Sequence, residues 1–558
     1  MQVALWREAV ALADLDEEPV ERGAAHKQLA NAATAAGLQQ LAEQHYAEAS
    51  VLFAAAPQTG ATRQAVLEAE IRTARLEAQL GRFDDAIARL TRVQEQIAPR
   101  SSGLTAQMFY STLGILQLGR NRETEAEQAF LPALRMAEQN LASLGSAAER
   151  VSWSEDAAPV YLGLAESELI QGREQDSLNT FEWYLGAPHR VAVRAATDSS
   201  RSRSALFLPD ADRLTARLPL LSKQTVVAYG VLPDGLAIWV YDDRGIHATW
   251  IPKSARDLQE LAAAFYSKCS DPHSEPAALV RDSEDLYSLL IAPIEQRLDP
   301  RRTLVIETEG FLARLPFEAL VDGNGRYLIE RVPIVHSPGA YAEGHMRAED
   351  AISVDSPAFV VGSDVSSPDT GLFAVPDVPG GTQAVASGFH SAHVLNGREA
   401  TLAAVTKGMP QAAVFHFEGH AVDAFNHSGL LLQSGEPVSG GQSAEPTLLD
   451  ADAVRRLPLQ KLQLAVLAAC NTDSGEGGSR GFDSVAQALQ ASGVPHVVAS
   501  RWAVDSVQAT AFVNGFYGSL LSGQPVSNAT RLTAQRMLLN PRTTHPYYWA
   551  AFAAYGRP

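Results

Sequence analysis

Cysteine, basic residues and long apolar runs are all scarce in this sequence of 558 residues. Two cysteines, Cys269 and Cys470, are too few for a disulfide framework, and in a reducing compartment they stay thiols. The 45 Lys and Arg residues face 64 Asp and Glu residues, which gives a formal net charge of −19. Such a surface repels phosphate backbones, so we expect no direct binding of nucleic acid.

Membrane and targeting signals are also missing from the sequence. No run approaches the roughly 18 apolar residues of a membrane span, and residues 1–7 lack the basic start and long apolar stretch of a signal peptide. Hydrophobic residues make up 46% and charged residues 20% of the chain, a globular composition that argues against a disordered or fibrous protein. At about 150 residues a domain, the length predicts two to four domains. We therefore expect a soluble, cytoplasmic, multidomain protein.

Residues 1–190 have the composition and the apolar spacing of successive helices. A pattern of small and aromatic residues recurs through them, which predicts stacked helical units. Its four copies are Gly37, Tyr46, Ala49, Phe53 and Ala56; Ala74, Gly81, Phe83, Ala86, Leu90 and Val93; Tyr110, Leu113, Gly114, Ala126, Phe130 and Ala133; and Tyr161, Leu164, Ala165, Gly172 and Phe181. Aligned on Gly37, Ala74, Gly114 and Ala165 as the small residue of each first helix, the copies lie 37, 40 and 51 residues apart.

This pattern resembles tetratricopeptide (TPR) repeats, whose regular period is about 34 residues, so these copies carry insertions. The alternative is an unrelated all-helical bundle with alanine-rich seams. In either case we expect a scaffold with a concave face that binds peptides or partner proteins. Residues 191–222, with a polar stretch at 197–204, are interpreted as a linker or exposed loop, with a processing site as the alternative.

From residue 223 to residue 558 the pattern changes to short β-branched runs that alternate with helical segments. The predicted strands are residues 225–231, 236–241, 303–307, 358–361, 413–417, 464–468 and 497–500, and the predicted helices include residues 255–267, 286–296 and 482–492. Alternation of this kind predicts a mainly parallel sheet covered by helices on both faces. Apolar runs without alternation, such as residues 465–468, fit strands buried on both sides.

Two of these strands end next to residues that together have catalytic chemistry. Residues 412–419 lead to His420, and residues 464–468 lead to Cys470. Because the carboxyl ends of parallel strands meet at one edge of a sheet, an imidazole and a thiol are expected to approach each other there. A neighbouring His can accept the thiol proton and later return it to a leaving amine, while backbone N–H groups at the strand ends hold the oxyanion. The alternative for Cys470 is simple packing, which is also our interpretation of Cys269.

The same half of the chain resembles a CHAT domain, a member of the caspase-like cysteine peptidases that include separases. The matching segments occur in order at residues 286–294, 310–320, 415–420, 466–472, 499–505 and 545–552. The resemblance implies a caspase-like α/β fold, with an N-terminal pseudo-subdomain at residues 223–350 and a catalytic subdomain at 351–558. Helical repeats followed by a CHAT domain are a familiar prokaryotic arrangement.

By that resemblance, His420 is the general base and Cys470 is the nucleophile, and the backbone N–H groups of Ala421 and Cys470 form the oxyanion hole. Glycine is frequent where this chain has Ala421, but alanine keeps the N–H and is compatible if its φ is below zero. An acid is common at Ser506, which leaves Asp505 as the nearest carboxylate. Asp505 is therefore predicted to contact substrate, with a loop cap as the alternative. Asp473 and Glu476 are expected to be solvated rather than to contact substrate.

Other motifs in this half fail on context. The residues Gly477-Gly478-Ser479-Arg480-Gly481 match the letters of a serine-hydrolase elbow but do not follow a strand directly. His416 and His420 have metal-ligand spacing only on a helix, and they lie in a β-run. A metal is therefore not expected. No phosphate-binding loop is present either, so we expect no other cofactor.

The sequence therefore predicts a cysteine endopeptidase, and the resemblance implies that it cleaves a specific protein substrate. The resemblance further implies a role in prokaryotic immunity or programmed death, including antiviral defence, and the repeats are expected to bind an activator or adaptor protein. A catalytically silent interaction scaffold is the first alternative, and an acyl-transfer enzyme for small substrates is the second. Residues 433–446 are interpreted as an autoprocessing or gating loop.

Overall fold

The computed structural model describes residues 2–15, 18–97, 103–144, 147–187, 211–343, 346, 350–365, 381–424, 427–434, 447–469 and 484–558. The chain folds as two compact units, one ending at Tyr184 and the other containing all described residues from Asp212 onward. Within the described ranges, no helix is long and apolar enough to cross a membrane.

The first unit is entirely helical in its described part. Its helices are α1 (Gln2–Ala13), α2 (Pro19–Ala35), α3 (Gln39–Ala55), α4 (Gly60–Gln79), α5 (Phe83–Gln96), α6 (Leu104–Leu118), α7 (Glu123–Leu141), α8 (Ala147–Ile170) and α9 (Glu174–Leu185). Helices α2 to α9 form four successive pairs, and the first helices of neighbouring pairs, such as α4 and α6, also contact each other. Small residues permit this close packing: a Cβ atom on Gly114 would lie 2.5 Å from the ring of Phe130.

One copy of the predicted repeat was misaligned. Gly37 lies in the turn between α2 and α3 with φ of 69°, as Gly81 and Gly172 do in later pairs, both with φ of 75°. The residue that corresponds to Ala74 is Ala30, seven positions before Gly37 and fully buried. A small residue at a helix interface and a glycine required by a positive φ cannot be told apart by letter alone. With this correction, the helical half is consistent with TPR-like repeats.

The second unit combines helices with fourteen strands among its described residues. Its helices are α10 (Ala211–Arg217), α11 (Ala255–Cys269), α12 (Pro276–Leu290), α13 (Leu328–Arg331), α14 (Ala340–Glu343), α15 (Thr382–Ser387), α16 (Leu402–Gly408), α17 (Ala451–Arg455), α18 (Val485–Ala491), α19 (Ser506–Leu520), α20 (Val526–Leu538) and α21 (Pro546–Trp549). Its strands are β1 (Gln224–Leu232), β2 (Gly235–Asp242), β3 (Gly245–Ile251), β4 (Thr303–Thr308), β5 (Ile334–Ser337), β6 (Ala358–Gly362), β7 (Ala392–Asn396), β8 (Val414–Glu418), β9 (Ala421–Ala424), β10 (His427–Leu432), β11 (Thr447–Asp450), β12 (Leu464–Ala468), β13 (His496–Ser500) and β14 (Phe552–Gly556).

Eleven strands form one sheet in the order β3-β2-β1-β4-β5-β14-β13-β12-β8-β6-β7, and β11-β10-β9 form a small second sheet. At one end of the large sheet, β1, β2 and β3 pair antiparallel. The rest is parallel within each half: β1, β4, β5 and β14 run one way, and β13, β12, β8, β6 and β7 run the other way. The halves meet at the antiparallel pair β13–β14. The predicted mainly parallel α/β fold is confirmed, and all seven predicted strands are found with ends within one residue.

Both faces of the large sheet are buried, as the apolar runs predict. On β12, Val466 belongs to one hydrophobic core together with Val414 of β8. Its neighbour Leu467 belongs to a second core together with Phe417. Successive side chains of a strand point to opposite faces, so each strand contributes to both cores.

Two local expectations were wrong. Part of the predicted linker is helical, because α10 and the 3-10 turn Leu218–Leu220 follow residue 210, and Leu214 and Leu221 are buried. The predicted helix at residues 286–296 instead ends at Leu290 and continues as the 3-10 turn Ala292–Arg297. Pro293 cannot donate to an α-helical hydrogen bond, which accounts for this break.

Candidate active site

The candidate site lies where β6, β8 and β12 end, at one edge of the large sheet. These three strands are parallel neighbours, and their last residues, Gly362, Glu418 and Ala468, are paired in register. His420 follows the last paired residue of β8 by two positions. Cys470 stands at the same distance after β12 in the sequence but lies outside the described residues.

The backbone around His420 is fixed from three directions. Gly419 donates its N–H to the carbonyl of Ala468 (3.4 Å), and Ser363 donates its N–H to the carbonyl of Glu418 (2.8 Å). Leu431 of β10 donates its N–H to the carbonyl of His420 (2.9 Å). The His420 side chain is half-buried at this edge, so it combines a rigid backbone with access from solvent.

Glycine is required at position 419 by the lack of space. A Cβ atom there would lie 2.9 Å from the ring of Phe417 and 3.0 Å from the carbonyl oxygen of Ser363. Its φ is not positive, so the requirement is one of close approach and not of backbone conformation. The glycine thus brings the chain before His420 against the end of β6.

The N–H of Ala421 is directed to the free side of β9. Opposite residues in an antiparallel ladder alternate between hydrogen-bonded and non-hydrogen-bonded pairs. The bond from Leu431 to His420 makes that pair hydrogen-bonded, so the next pair, Ala421 and Leu430, is not. Ala421 also lacks a positive φ, so alanine fits here without strain. The N–H therefore points away from β10, to the side of β9 on which no described strand pairs with it.

The approach to position 470 is held by the neighbouring strand. The last described residue before the gap, Ala469, is buried, and its carbonyl accepts a hydrogen bond from the hydroxyl of Ser500 at the end of β13. Asp473, Glu476 and Ser479 also lie outside the described residues, as does most of the predicted loop 433–446.

Asp505 begins α19 as its N-cap. Its Oδ1 accepts hydrogen bonds from the N–H groups of Val507 (3.1 Å) and Gln508 (3.2 Å). The side chain is exposed, and no described residue occupies Oδ2. Asp505 therefore caps the helix, as the alternative interpretation expected, and the cap does not use Oδ2.

The loop that leads to Asp505 rests on a buried ion pair that sequence reasoning missed. Arg501 and Glu318 are almost fully buried, with Nη1 of Arg501 3.0 Å from Oε2 of Glu318. Nε2 of His336 lies 2.9 Å from Oε1 of Glu318 and 2.7 Å from Nη2 of Arg501. Burial raises the pKa of Glu318, but the charges of Arg501 and His336 outweigh it and lower the pKa to about 2.

Both members of this pair stand in segments that the sequence analysis used only as family markers. A Glu in the apolar run 315–320 and an Arg directly after a buried strand are each costly to bury alone. That cost was the available signal that the two segments meet. Arg501 also donates Nη1 to the carbonyl of Ala550 (3.1 Å), which ties the loop to the start of β14.

An aromatic cluster supports the other side of the same loop. The hydroxyl of Tyr266 donates to the carbonyl of Arg501 (2.8 Å), and its ring meets the ring of Trp502 edge-to-face at 5.5 Å. Trp502 donates Nε1 to the carbonyl of Tyr547 (3.0 Å), and Arg314 lies over the Tyr266 ring at 5.0 Å. These contacts give the 501–505 loop a rigid base.

His416, the second histidine of the β8 run, is not part of the exposed edge. It is fully buried, and neither ring nitrogen has a hydrogen-bond partner among the residues that the structure describes. Burial lowers the pKa of His416 to about 3, so the ring is neutral. It packs edge-to-face on Tyr517, whose hydroxyl is also buried without a partner. Among the residues with described positions, no group of three metal-binding side chains occurs.

The structure thus places His420, Ala421 and Asp505 in described segments, while Cys470 is outside them. Their roles as site residues stay predictions. Cys269, interpreted as a packing residue, is fully buried, and burial raises its thiol pKa well above the usual value.

Comparison with known proteins gives a family match and structural matches at low sequence identity. No curated protein matches the chain. Two structures of the Saccharomyces cerevisiae separase–securin complex align with 96% and 97% of this chain, at 9% and 10% identity and TM-scores of 0.48 and 0.46. They are matched over 50% and 54% of their own length, so this chain spans about half of the separase chains. BtubC (BKLC) from P. vanneervenii is 20% identical over 37% of this chain and 78% of its own, with a TM-score of 0.27.

The family match covers most of the second unit. The CHAT domain matches residues 280–557, a range that contains β4 to β14 and the whole candidate edge. This match supports a caspase-like peptidase family and agrees with the mainly parallel sheet flanked by helices. The chain therefore contains a CHAT domain, at residues 280–557.

Proposed function

We propose that this protein is a cysteine endopeptidase in which Cys470 is the nucleophile and His420 is the general base. The observation that supports it best is the register of β8 and β12. Val414 pairs with Leu464, and the pairing continues to Glu418 and Ala468. Paired residues of β8 and β12 have the same separation in the sequence as His420 and Cys470. Each of these two residues therefore follows the last residue of its strand by two positions.

The proposed reaction is acyl transfer through a thioester. His420 accepts the proton of Cys470, and the thiolate attacks the carbonyl carbon of the scissile peptide bond. The tetrahedral intermediate collapses as the C–N bond breaks, and His420 returns the proton to the leaving amine. Water, deprotonated by His420, then attacks the thioester and releases the new carboxyl terminus and the free thiol.

The oxyanion formed in both steps needs donors beside the two catalytic groups. We assign this role to the N–H groups of Ala421 and Cys470. The support for Ala421 is the direction of its N–H, which faces away from β10 at the edge of its sheet. Removing one such donor typically costs a factor of 10² to 10³ in turnover, but a backbone donor survives any side-chain substitution that keeps the local conformation.

Asp505 is proposed to contact the substrate through Oδ2, since Oδ1 is used by the two N–H groups of α19. An anionic oxygen at this position favours a basic residue next to the scissile bond. Glu318, Arg501 and Tyr266 are positioning residues in this proposal, because they hold the loop and do not reach the substrate. The substrate is a protein, and the helical unit binds the partner or activator that presents it, in a prokaryotic immune or programmed-death response.

The proposal is tested with a proteome-derived peptide library and detection of new N-termini by mass spectrometry. Wild type and Cys269→Ala are expected to generate the same cleavages, and Cys470→Ala and His420→Ala are expected to generate none. Cys269→Ala is the matched control because it removes the other thiol of the chain. Cleavage by Cys470→Ala, or no cleavage by wild type, would overturn the proposal and favour a scaffold.

A further inference from the structure

An arginine in the helical unit lacks the carboxylate that its neighbours have. Arg75 of α4 is partly buried, and its Nε donates to Thr112 Oγ1 (3.3 Å) while Nη2 donates to Ser111 Oγ (3.2 Å). Both hydroxyls belong to α6 and are fully buried. Two bonds to a neighbouring helix hold the guanidinium plane in one orientation.

The remaining nitrogen of Arg75 is open. Nη1 makes no hydrogen bond to any described residue, and it is not among the atoms sealed from solvent. The guanidinium therefore keeps one terminal nitrogen whose two N–H groups bond to no described residue, and its other two nitrogens already hold it in place. A ligand that binds there does not need to order the side chain, which reduces the entropic cost of binding.

The local charge is unbalanced by one positive unit. Arg72, one turn before Arg75, is paired with Asp156 of α8 at 3.3 Å. Among the carboxylates that the structure describes, only Asp156 is close enough to raise the pKa of Arg75, and burial together with Arg72 lowers that pKa to about 10. Two guanidinium groups thus share one carboxylate on the face formed by α4, α6 and α8.

Other partly buried arginines of this unit are neutralised within the fold. Arg89 contacts Glu70 (2.6 Å) and Glu77 (2.8 Å), and Arg173 contacts Glu127 (2.6 Å). Arg75 differs from them although the chain has 19 more acidic than basic residues. A desolvated charge without a partner is costly, and an added carboxylate would remove that cost.

We infer that Arg75 binds a carboxylate of a partner protein on the face formed by α4, α6 and α8. One carboxylate supplies the one missing negative charge, and one of its oxygens can accept a charge-assisted hydrogen bond from Nη1. The carboxylate comes either from an Asp or Glu side chain or from a free C-terminus. This inference rests on the proposed function in so far as it names the chemistry of the partner that the helical unit binds.

The test uses the full chain with Cys470→Ala, so that no library member is cleaved. Two random peptide libraries are selected on it, one displayed with free C-termini and one with peptides in an internal position. We expect enrichment of C-terminal carboxylates in the first library, or of Asp and Glu in the second, which identifies the source. A synthetic winner should bind Arg75→Gln on the order of tenfold more weakly, as expected for loss of a charge-assisted hydrogen bond. Absence of acidic enrichment in both libraries would overturn the inference.

The matched control is Arg63→Gln, which changes an exposed arginine of the same helix and should leave binding within about twofold. Equal binding by wild type and Arg75→Gln would also overturn the inference. A second comparison does not depend on the variant's folding: neutralising the selected carboxylate, by C-terminal amidation or by Asp→Asn or Glu→Gln, must weaken binding to the unaltered site. Because binding is measured without catalysis, these results are independent of whether Cys470 and His420 form a peptidase site.

Discussion

The buried pair of Glu318 and Arg501 gives the most specific stability prediction. Glu318→Gln keeps the size of the side chain but leaves Arg501 buried beside a neutral amide and the nearby His336. Removing one partner from a buried ion pair typically costs about 3–5 kcal/mol. The pKa gives an independent value, because a pKa of about 2 in place of 4.5 corresponds to about 3 kcal/mol of stabilisation of the ionised carboxyl. We therefore expect Glu318→Gln to destabilise the second unit by about 3 kcal/mol.

The readout must be specific to this unit, since the chain has two. Hydrogen exchange followed by mass spectrometry reports the stability of β5, β13 and β14, the strands that the pair connects. A double-mutant cycle separates the pair from its surroundings. Glu318→Leu alone leaves Arg501 without its carboxylate, Arg501→Met alone leaves Glu318 without its arginine, and the double variant Glu318→Leu with Arg501→Met removes both charges. We expect the double variant to be more stable than Glu318→Gln. Additive losses in the cycle, or a change below about 1 kcal/mol for Glu318→Gln, would refute the reasoning.

The same pair predicts a pH dependence with a definite sign. The folded pKa of Glu318 lies below its unfolded value, so the stabilisation is complete above about pH 5 and is lost as the pH falls from about 4.5 towards about 2. Wild type should therefore lose stability more steeply than Glu318→Gln over that interval. Parallel curves for the two proteins would show that folding does not lower the pKa of Glu318, and would contradict this prediction.

Three further predictions concern β8, the glycine that follows it and the 501–505 loop. Gly419→Ala adds a Cβ within 3.0 Å of two groups, so it should destabilise the second unit by about 1–3 kcal/mol and lower turnover; unchanged stability in a urea titration would contradict this. His416→Leu removes two unpartnered buried nitrogens, so hydrogen exchange should show equal or greater stability, and a loss above about 2 kcal/mol would contradict it. Asp505→Ala should lose about 1 kcal/mol of capping energy that Asp505→Asn keeps, while both raise KM for substrates with a basic residue; an effect of Asp505→Ala alone would limit Asp505 to capping.

Strands and helices of the second unit followed from hydrophobic patterning because buried parallel strands are continuous apolar runs. The run at residues 464–468 matched β12 at both ends. Strands whose side chains are partly exposed were missed, among them β3, where every residue has intermediate exposure, and β7 at the opposite edge of the sheet. Edge strands of this kind carry little apolar signal, and only their hydrogen-bonded neighbours identify them.

The candidate site was partly predictable for a different reason. The position of His420 follows from local rules, since a buried strand, a glycine and a histidine occur in that order along the chain. Local rules do not give the direction in which β5 and β14 run relative to β13, because that direction depends on pairing between distant segments. The Glu318–Arg501 contact was missed for the same reason: the two residues are 183 positions apart.

The alkylation rate of Cys470 as a function of pH tests the central claim most directly. Iodoacetamide labelling, quantified by mass spectrometry, is compared in wild type and His420→Gln, with the buried Cys269 of the same molecule as the internal reference. If His420 activates Cys470, wild type reacts at a pH well below the pKa of about 8.5 of a free thiol, and His420→Gln shifts the profile upward. Identical profiles for the two proteins, or a Cys470 as unreactive as Cys269 at every pH, would contradict the account.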